Sequence, residues 1–311
     1  MKSIILLLLL AVSAVLAVGQ TKQLCVTVDD LPVVDYGSTD TTYQRGIITR
    51  LVGGFARAHA PAVGFVNEKK LEDSTGISTF RVSLLEQWAD AGLDLGNHTY
   101  SHPDFNKVSC DAFFADVICG ETVTKRILAR RGMNLRYYRQ PFLFTGATKE
   151  KADSLSAFLT GRGYTPAPVT IDNDDYMFAV LYHRALMRGD TAEVGKIGRD
   201  YVAYLEKKLQ YYEQESVKLF GRPIAQVLLI HASRLNADHI DDLLAMIRRN
   251  GYRFADLKAV LADPAYSTPV TVYKKWGISW LDRWALSAGK SGAFFKDEPD
   301  VPEYIKAGWS N

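Results

Sequence analysis

The sequence predicts an α/β protein, a barrel of βα units with a helical insertion and a C-terminal tail. Short apolar runs alternate with longer amphipathic stretches from Leu24 to about Leu261, which is the pattern of strand and helix units around a parallel sheet. Several amphipathic stretches end in a glycine directly before the next run, as expected at helix C-termini. With any leader removed, the remaining length suits one large α/β domain.

Six apolar runs are the predicted strands. They are Leu24–Val28, Ala62–Val66, Leu93–Leu95, Leu135–Tyr138, Pro168–Ile171 and Gln226–Ile230. The glycines at the predicted helix stops are Gly92, Gly132, Gly163 and Gly251. Glycine suits that position because it adopts positive φ at no steric cost.

The first residues are typical of a secretory signal peptide. Lys2 precedes an apolar run over 4–10, and small residues allow cleavage after Ala17 or Gly19. The run is too short to span a bilayer as a mature helix, and no later segment predicts a membrane anchor. We therefore expect an exported protein, periplasmic or secreted.

The regular alternation breaks between Tyr176 and Arg222, and within this region the composition of Ala192–Leu219 predicts one long helix or a helical hairpin. A tail with several tryptophans follows Pro264. The expected organisation is a signal peptide over 1–17, a barrel over 18–262 with its insertion at about 177–222, and a C-terminal tail over 263–311.

Charge and cysteine content limit the partners and cross-links. The net charge of +2 and the lack of a basic cluster with interleaved aromatics argue against a nucleic-acid partner. Cys110 and Cys119 form the one close pair, but one continuous helix would hold them about 13 Å apart, too far to bridge. A disulfide there requires an irregular segment and stays open. Cys25 is expected to be an inert core thiol. The oligomeric state is not predicted.

Polar side chains stand directly after five of the apolar runs, and in a barrel of βα units the loops after the strands build the active site. In chain order they are Asp29 with Asp30, His98, Arg139, the residues 172–175, and His231. Each has an ordinary structural interpretation, such as a turn or helix cap for the aspartates and a core position for His231. Their consistent placement favours one shared site.

His98 and His102 stand four residues apart, which would place both imidazoles on one face of a helical turn, as a chelating pair needs. A carboxylate from another strand end completes a three-ligand site with a position left for water. We choose Asp30 for that ligand, which leaves Asp29 for another task. Zinc is the first choice of metal, and other first-row divalent ions fit the same ligands.

The five groups resemble, in order, the motifs of the polysaccharide deacetylase family, carbohydrate esterase family 4, which includes chitooligosaccharide and peptidoglycan deacetylases. The resemblance spans 27–231 and implies a distorted (β/α) barrel. It also implies a metal-dependent hydrolase that removes acetyl groups from a carbohydrate, foremost the N-acetyl groups of an amino-sugar polymer or oligomer.

The resemblance implies a role for each motif residue. The segment 27–30 is similar to the first motif, with Asp29 as catalytic base and Asp30 as metal ligand. The second motif implies His98 and His102 as metal ligands. The last motif implies His231 as general acid.

The other motifs imply groove residues and a support for the base. The segment 139–142 resembles Arg-x-Pro-Tyr, in which Arg139 partners Asp29 while Pro141 and Phe142 shape a groove wall. The segment 172–176 resembles Asp-x-x-Asp-Trp shifted by one residue, so that Asp175 would steady Arg139. Implied substrate contacts are Pro141, Phe142, Tyr176 and Leu229, with Leu229 lining the acetyl pocket. The sequence departs from the family at Phe142, Tyr176 and Ala232, where tyrosine, tryptophan and aspartate are usual.

Two other functions and two interpretations of the tail stay open. One alternative is a hydrolase of a small non-peptide amide or imide, since a site of this type does not define its substrate. The other is a non-catalytic glycan-binding protein of the envelope, against which the complete set of motif residues argues. The tail with Trp276, Trp280, Trp284 and Trp309 either packs on the barrel or offers an aromatic platform for sugar rings. Packing is favoured because large aromatics ordinarily bury their area.

Overall fold

The computed structural model describes residues 22–309. The predicted signal peptide over 1–17 lies outside these residues. Over the described range no helix has the length and apolar character needed to cross a bilayer.

A seven-stranded sheet forms the centre of the fold, and its strand pairs are parallel. The nine strands, two of which form a separate hairpin, are β1 (Lys22–Leu31), β2 (Ala62–Val66), β3 (Glu72–Asp73), β4 (Gly76–Ile77), β5 (Asp94–Asn97), β6 (Tyr137–Tyr138), β7 (Thr165–Pro166), β8 (Gln226–His231) and β9 (Tyr252–Phe254). The sheet order is β7-β6-β5-β2-β1-β8, with β9 paired to the first residues of β1. The antiparallel pair β3–β4 stands apart from the sheet.

The segment around β7 closes the curl of the sheet. Thr165 pairs with β6, whereas Ile171 forms a bridge to Leu228 of β8 on the other side of the sheet. The backbone N–H groups of Thr170 and Ile171 donate to the carbonyl oxygen of Val227, at 3.0 Å each. One short stretch therefore contacts both edges, and the sheet curls into a half-barrel.

Helices surround this half-barrel. They are α1 (Thr41–Arg57), α2 (Thr79–Asp90), α3 (Cys110–Cys119), α4 (Thr122–Ala129), α5 (Lys149–Gly161), α6 (Asp175–Met187), α7 (Thr191–Phe220), α8 (Arg234–Arg249), α9 (Leu257–Leu261), α10 (Trp280–Ser287), α11 (Gly292–Phe295) and α12 (Glu303–Trp309). Short 3₁₀ turns lie at Glu68–Leu71, Pro141–Leu143 and Pro264–Ser267. Many helices begin at a side-chain cap: at α8, for example, Ser233 Oγ accepts the N–H of Asn236 at 3.3 Å.

The strand and helix predictions are largely confirmed. Ala62–Val66 has the predicted bounds, and the four glycines at the predicted helix stops have φ between 67° and 81°. The prediction of a strand over Pro168–Ile171 is wrong. The strand there is Thr165–Pro166, and only Ile171 bridges to β8, because Pro168 has no N–H to offer a ladder. Strand β9 was not predicted, since three residues are too few to show a pattern.

The sequence left two points open: whether the insertion holds one long helix or a hairpin, and whether Cys110 and Cys119 form a disulfide. The stretch expected as one helix or a hairpin contains α7, a single helix of 30 residues. Cys110 and Cys119 are the first and last residues of α3, and both are free thiols. The irregular segment that a disulfide required is therefore absent. Cys25 is buried, and burial raises the pKa of its thiol to about 12, as expected for an inert core residue.

The C-terminal segment buries some of its tryptophans and exposes others. Trp284 is 1% exposed, and its indole N–H donates to the carbonyl oxygen of Thr268 at 3.0 Å. Trp280 packs against a small cluster formed by Leu143, Val169 and Leu229. Trp276 and Trp309, in contrast, are 57% and 41% exposed.

This contrast predicts unequal effects on stability. Trp284→Ala should lower the free energy of unfolding by about 3–5 kcal/mol, because it removes a fully packed indole. The matched control Trp276→Ala should change it by no more than about 0.5 kcal/mol. Urea unfolding followed by circular dichroism measures both, and equal effects would show that the segment does not pack on the barrel through Trp284.

Candidate active site

The carboxyl ends of the central strands bring the motif residues together. Asp29 of β1 pairs in register with His231 of β8. On the other side, the loop after β5 begins at His98, and the N–H of Arg139 donates to the carbonyl oxygen of Asn97 at 3.0 Å. Four chain segments distant in sequence therefore meet at one end of the half-barrel.

Asp30, His98 and His102 form a possible metal site. Each offers one ligand atom, and these atoms lie within 4.8 Å of one another. Asp30 Oδ1 is 3.8 Å from His98 Nε2 and 3.9 Å from His102 Nε2. This oxygen is buried and has no hydrogen-bond partner among the described residues. An unsatisfied buried carboxylate oxygen is costly, and a divalent cation between it and the imidazoles would remove that cost. The residues therefore fit a metal ion.

The protonation states of the three side chains suit metal binding. Burial lowers the pKa of His98 and that of His102 to about 4, so both imidazoles are neutral near pH 7. Burial alone would raise the pKa of Asp30, but the positive charge of Lys70 and the nearby imidazoles bring it below its ordinary value. Neutral imidazole and ionised carboxylate are the forms that bind a metal.

Two further contacts orient these ligand atoms. His98 Nδ1–H donates to the carbonyl oxygen of Arg139 at 2.8 Å, which leaves the Nε2 lone pair to face Asp30. Lys70 Nζ lies 3.2 Å from Asp30 Oδ2 and donates to the Asp30 carbonyl oxygen, also at 3.2 Å. Lys70 therefore occupies one carboxylate oxygen and leaves the other for the imidazoles. No sequence pattern links Lys70 to this site, because it lies in a short 3₁₀ turn 40 residues after Asp30.

The expected helical turn between His98 and His102 is wrong. These residues lie in a loop, in which Thr99 and His102 have φ of 68° and 58°. The N–H of His102 donates to Thr99 Oγ1 at 3.0 Å, and the two preceding N–H groups donate to Asp116 Oδ1. Side-chain acceptors thus take N–H groups that a helix would pair internally. The two imidazoles nevertheless meet, with ring centroids 4.9 Å apart.

Asp29 is buried beside this triad and has a cationic partner. Arg139 Nη1 lies 3.4 and 3.3 Å from the two Asp29 oxygens, and Asp29 Oδ2 is 3.7 Å from His98 Nε2. Burial raises the pKa of Asp29 above its ordinary value, while Arg139 acts in the opposite direction. A carboxylate whose pKa is raised by burial is a stronger base than an exposed one and is suited to accept a proton, while Arg139 holds it in position.

Arg139 is itself held by the surrounding barrel. Its side chain is fully buried, Nε donates to the carbonyl oxygen of Ala167 at 2.6 Å, and Nη2 donates to Thr27 Oγ1 at 2.9 Å. The guanidinium also lies over the ring of Phe65, 4.6 Å from the centroid. The contact between Arg139 and Asp29 that the family resemblance implies is present.

The expected contact between Asp175 and Arg139 is wrong. Asp175 Oδ1 instead accepts His231 Nδ1–H at 2.6 Å, and Oδ2 accepts the His231 backbone N–H at 2.8 Å. Asn236 Nδ2 donates to the same Oδ2 at 2.6 Å. The reason is positional: Asp175 begins α6 beside β8, and Arg139 already donates to Asp29, Thr27 and Ala167.

This partner changes the chemistry of His231. Burial alone would lower the pKa of the imidazole, but the charge and hydrogen bond of Asp175 raise it to about 9. The ring is therefore protonated near pH 7, with Nδ1 held and Nε2 left to donate. Asn236, which also donates to the His231 carbonyl oxygen at 2.9 Å, was not identified from the sequence. It lies in the first turn of α8, where asparagine is ordinarily assigned to capping.

The residues expected to contact substrate differ in exposure. The ring of Phe142 is 51% exposed and stands 4.4 Å from that of His102, edge to face. Tyr176 is 37% exposed, whereas Leu229 is buried in the cluster with Leu143. Pro141 is buried and opens the 3₁₀ turn that carries Phe142.

The fold and these side chains together define a class: a (β/α) half-barrel with a possible Asp-His-His metal site, a second carboxylate and a His-Asp pair at its strand ends. Residues 18–156 match the family model described as polysaccharide deacetylase. This part of the chain is thus similar to the polysaccharide deacetylase family.

Two solved structures share this fold. A chitin deacetylase from the fungal pathogen Colletotrichum lindemuthianum is 20% identical, with a TM-score of 0.53 over 82% of this chain and 92% of its own. A CE4 family pseudoenzyme from Bacillus anthracis is 15% identical, with a TM-score of 0.50 over 78% of this chain and 66% of its own. The predicted distorted barrel is confirmed. No curated protein matches by sequence.

The geometry predicts that both histidines are needed for metal affinity. His102→Ala should weaken Zn²⁺ binding more than about 100-fold, since loss of even a second-shell contact costs about 10–100-fold. The control His59→Asn, at an exposed histidine with positive φ, should bind as the native chain does. Calorimetric titration with Zn²⁺ measures both. Equal affinities would remove His102 from the metal site.

Proposed function

We propose that this chain is a metal-dependent hydrolase that removes acetyl groups from a carbohydrate, foremost the N-acetyl groups of an amino-sugar polymer or oligomer. One observation carries the proposal. Beside a possible metal triad lie one group that can accept a proton and one that can donate a proton. Asp29 can accept a proton, and His231 is held protonated. The chitin deacetylase among the structural relatives supports the substrate class.

Each side chain has one task in the proposed hydrolysis. A divalent ion held by Asp30, His98 and His102 would lower the pKa of water and polarise the acetyl carbonyl. Zinc is the first choice, and other first-row divalent ions fit. Asp29 takes the proton from the attacking water, with Arg139 holding its carboxylate in place.

His231 completes the reaction on the leaving side. Nδ1–H is engaged by Asp175, so the proton for the leaving amine nitrogen comes from Nε2. The exposed ring of Phe142 and that of Tyr176 border the groove for the sugar, and Leu229 lies at the acetyl methyl. We further propose that the protein is exported, periplasmic or secreted, on the strength of the signal peptide predicted over 1–17.

A substrate panel tests the proposal. Product release should be measured with N-acetylglucosamine oligomers, peptidoglycan, acetylated xylan and a small non-peptide amide or imide, with a chelator and after Zn²⁺ is restored. We expect release from the amino-sugar substrates, loss with chelator and recovery with metal. Release only from a small amide or imide would favour the other hydrolase, and release from none would favour a non-catalytic glycan-binding protein.

The base assignment predicts a separation of turnover from metal binding. Asp29→Asn should lower kcat by about 10²–10⁴-fold, the usual contribution of a general base, while Zn²⁺ content stays unchanged. Asp73→Asn, at an exposed carboxylate of the β3–β4 hairpin, is the matched control and should keep full turnover. Retention of both metal and activity by Asp29→Asn would exclude Asp29 as the base.

The His231–Asp175 pair predicts a shift in pH dependence. The acid is active while the imidazole is protonated, so turnover should fall as pH rises through the pKa of about 9. Asp175→Asn removes the negative charge that raises this pKa, so the alkaline limb of kcat should move to lower pH, toward about 6.5. A kcat–pH profile measures the limb. An unchanged limb in the variant would show that Asp175 does not act through His231.

A further inference from the structure

The exposed large aromatic side chains are unevenly distributed. Within residues 22–309 they are Phe142, Tyr176, Trp276, Tyr304 and Trp309. Single exposed apolar residues are normal on a protein surface. Four of these five, however, can be grouped into two pairs, each with one residue beside the candidate site and one tryptophan of the C-terminal segment. The rings of Tyr176 and Trp309 are in contact, whereas Phe142 and Trp276 are linked through the backbone of Gly277.

The first pair is Phe142 with Trp276, on the side of the metal histidines. The backbone of Gly277 lies so close to Phe142 that a Cβ at Gly277 would stand 1.8 Å from the Phe142 carbonyl oxygen. On the other side, Asn106 Nδ2 donates to the carbonyl oxygen of Lys275 at 2.8 Å. The residues around Trp276 are therefore tied to the rim of the site, yet its indole is 57% exposed.

The second pair is Tyr176 with Trp309, on the side of the acid. Their ring centroids lie 5.2 Å apart, edge to face, and Tyr176 directly follows the Asp175 that holds His231. Arg184 Nη1 donates to the carbonyl oxygen of Gly308 at 2.8 Å. Gly308 also packs closely on Leu181, because a Cβ at position 308 would stand 2.6 Å from Leu181 Cδ2. Trp309 is thus anchored through α6 and still 41% exposed.

We infer that the C-terminal segment supplies two sugar-stacking platforms, Trp276 and Trp309, one on each side of the catalytic groups. The site would then bind a glycan chain with sugar units on both sides of the unit that is deacetylated. The reasoning is chemical: pyranose rings present apolar C–H faces that pack on aromatic rings, and an indole is a large apolar face. The inference rests on the proposed function for the identity of the central site, and both tryptophans lie outside the residues that match the family model.

Binding to a glycan tests this inference without turnover. The Zn²⁺-loaded chain carrying Asp29→Asn is titrated calorimetrically with the N-acetylglucosamine pentamer and, separately, with the monomer. Trp276→Ala and Trp309→Ala should each weaken pentamer binding about fivefold to tenfold, the range of one aromatic contact, and leave monomer binding unchanged. The two losses should multiply in the double variant, because the platforms are separate.

Tyr304→Ala is the matched control. Tyr304 is an exposed aromatic of the same segment, but its hydroxyl donates to Asp200 at 2.7 Å and it belongs to neither pair. It should leave pentamer affinity unchanged. Thermal unfolding of each variant identifies any loss that comes from misfolding.

The outcomes separate the two proposals. If the tryptophan variants bind the pentamer as tightly as the Tyr304 variant does, or if the parent binds no pentamer, the platforms are excluded. If pentamer binding depends on both tryptophans while the native chain releases no acetate from any substrate, the proposed hydrolysis fails and the glycan platforms stand.

Discussion

The site depends on how two adjacent carboxylates are accommodated at the buried end of the central strand. Like charges so close together are unfavourable unless each has its own compensation. Asp29 has Arg139, whereas Asp30 has Lys70 and faces two imidazoles. A register shift in β1 between Val28 and Leu31, with Asp30 at φ of 70°, allows the two side chains to reach these different partners.

Backbone strain is concentrated in the same place. Of the seven non-glycine residues with positive φ in the described chain, five lie at the candidate site, namely Asp30, Thr99, His102, Phe142 and Leu143. Such conformations persist only where the surroundings hold them. For the loop at Phe142 the C-terminal segment does so: Arg283 Nη2 donates to the carbonyl oxygen of Leu143 at 2.8 Å, and Trp280 packs against its side chain. The packing of the C-terminal segment therefore also determines the backbone shape of the loop at Phe142.

The sequence predicted what depends on local pattern. Apolar runs, helix-stop glycines and polar residues at strand ends depend on neighbours along the chain, so the half-barrel and the convergence of the motif residues followed from them. The errors concern contacts that local pattern does not encode. The partner of Asp175 depends on which strand α6 starts beside, and the loop at His98 depends on an acceptor, Asp116, from α3. Lys70 reaches Asp30 only through the folded chain.

Environment, not residue type, divides the three histidines of the site into two protonation states. His98 and His102 are surrounded by protein with no carboxylate bonded to the ring nitrogens, so desolvation dominates and the rings stay neutral. His231 is buried too, but Asp175 bonds its Nδ1 and outweighs the desolvation. A neutral imidazole can give a lone pair to a cation and a protonated one can give a proton to a leaving group. Since the difference comes from one carboxylate, Asp175 determines which histidine can be the acid.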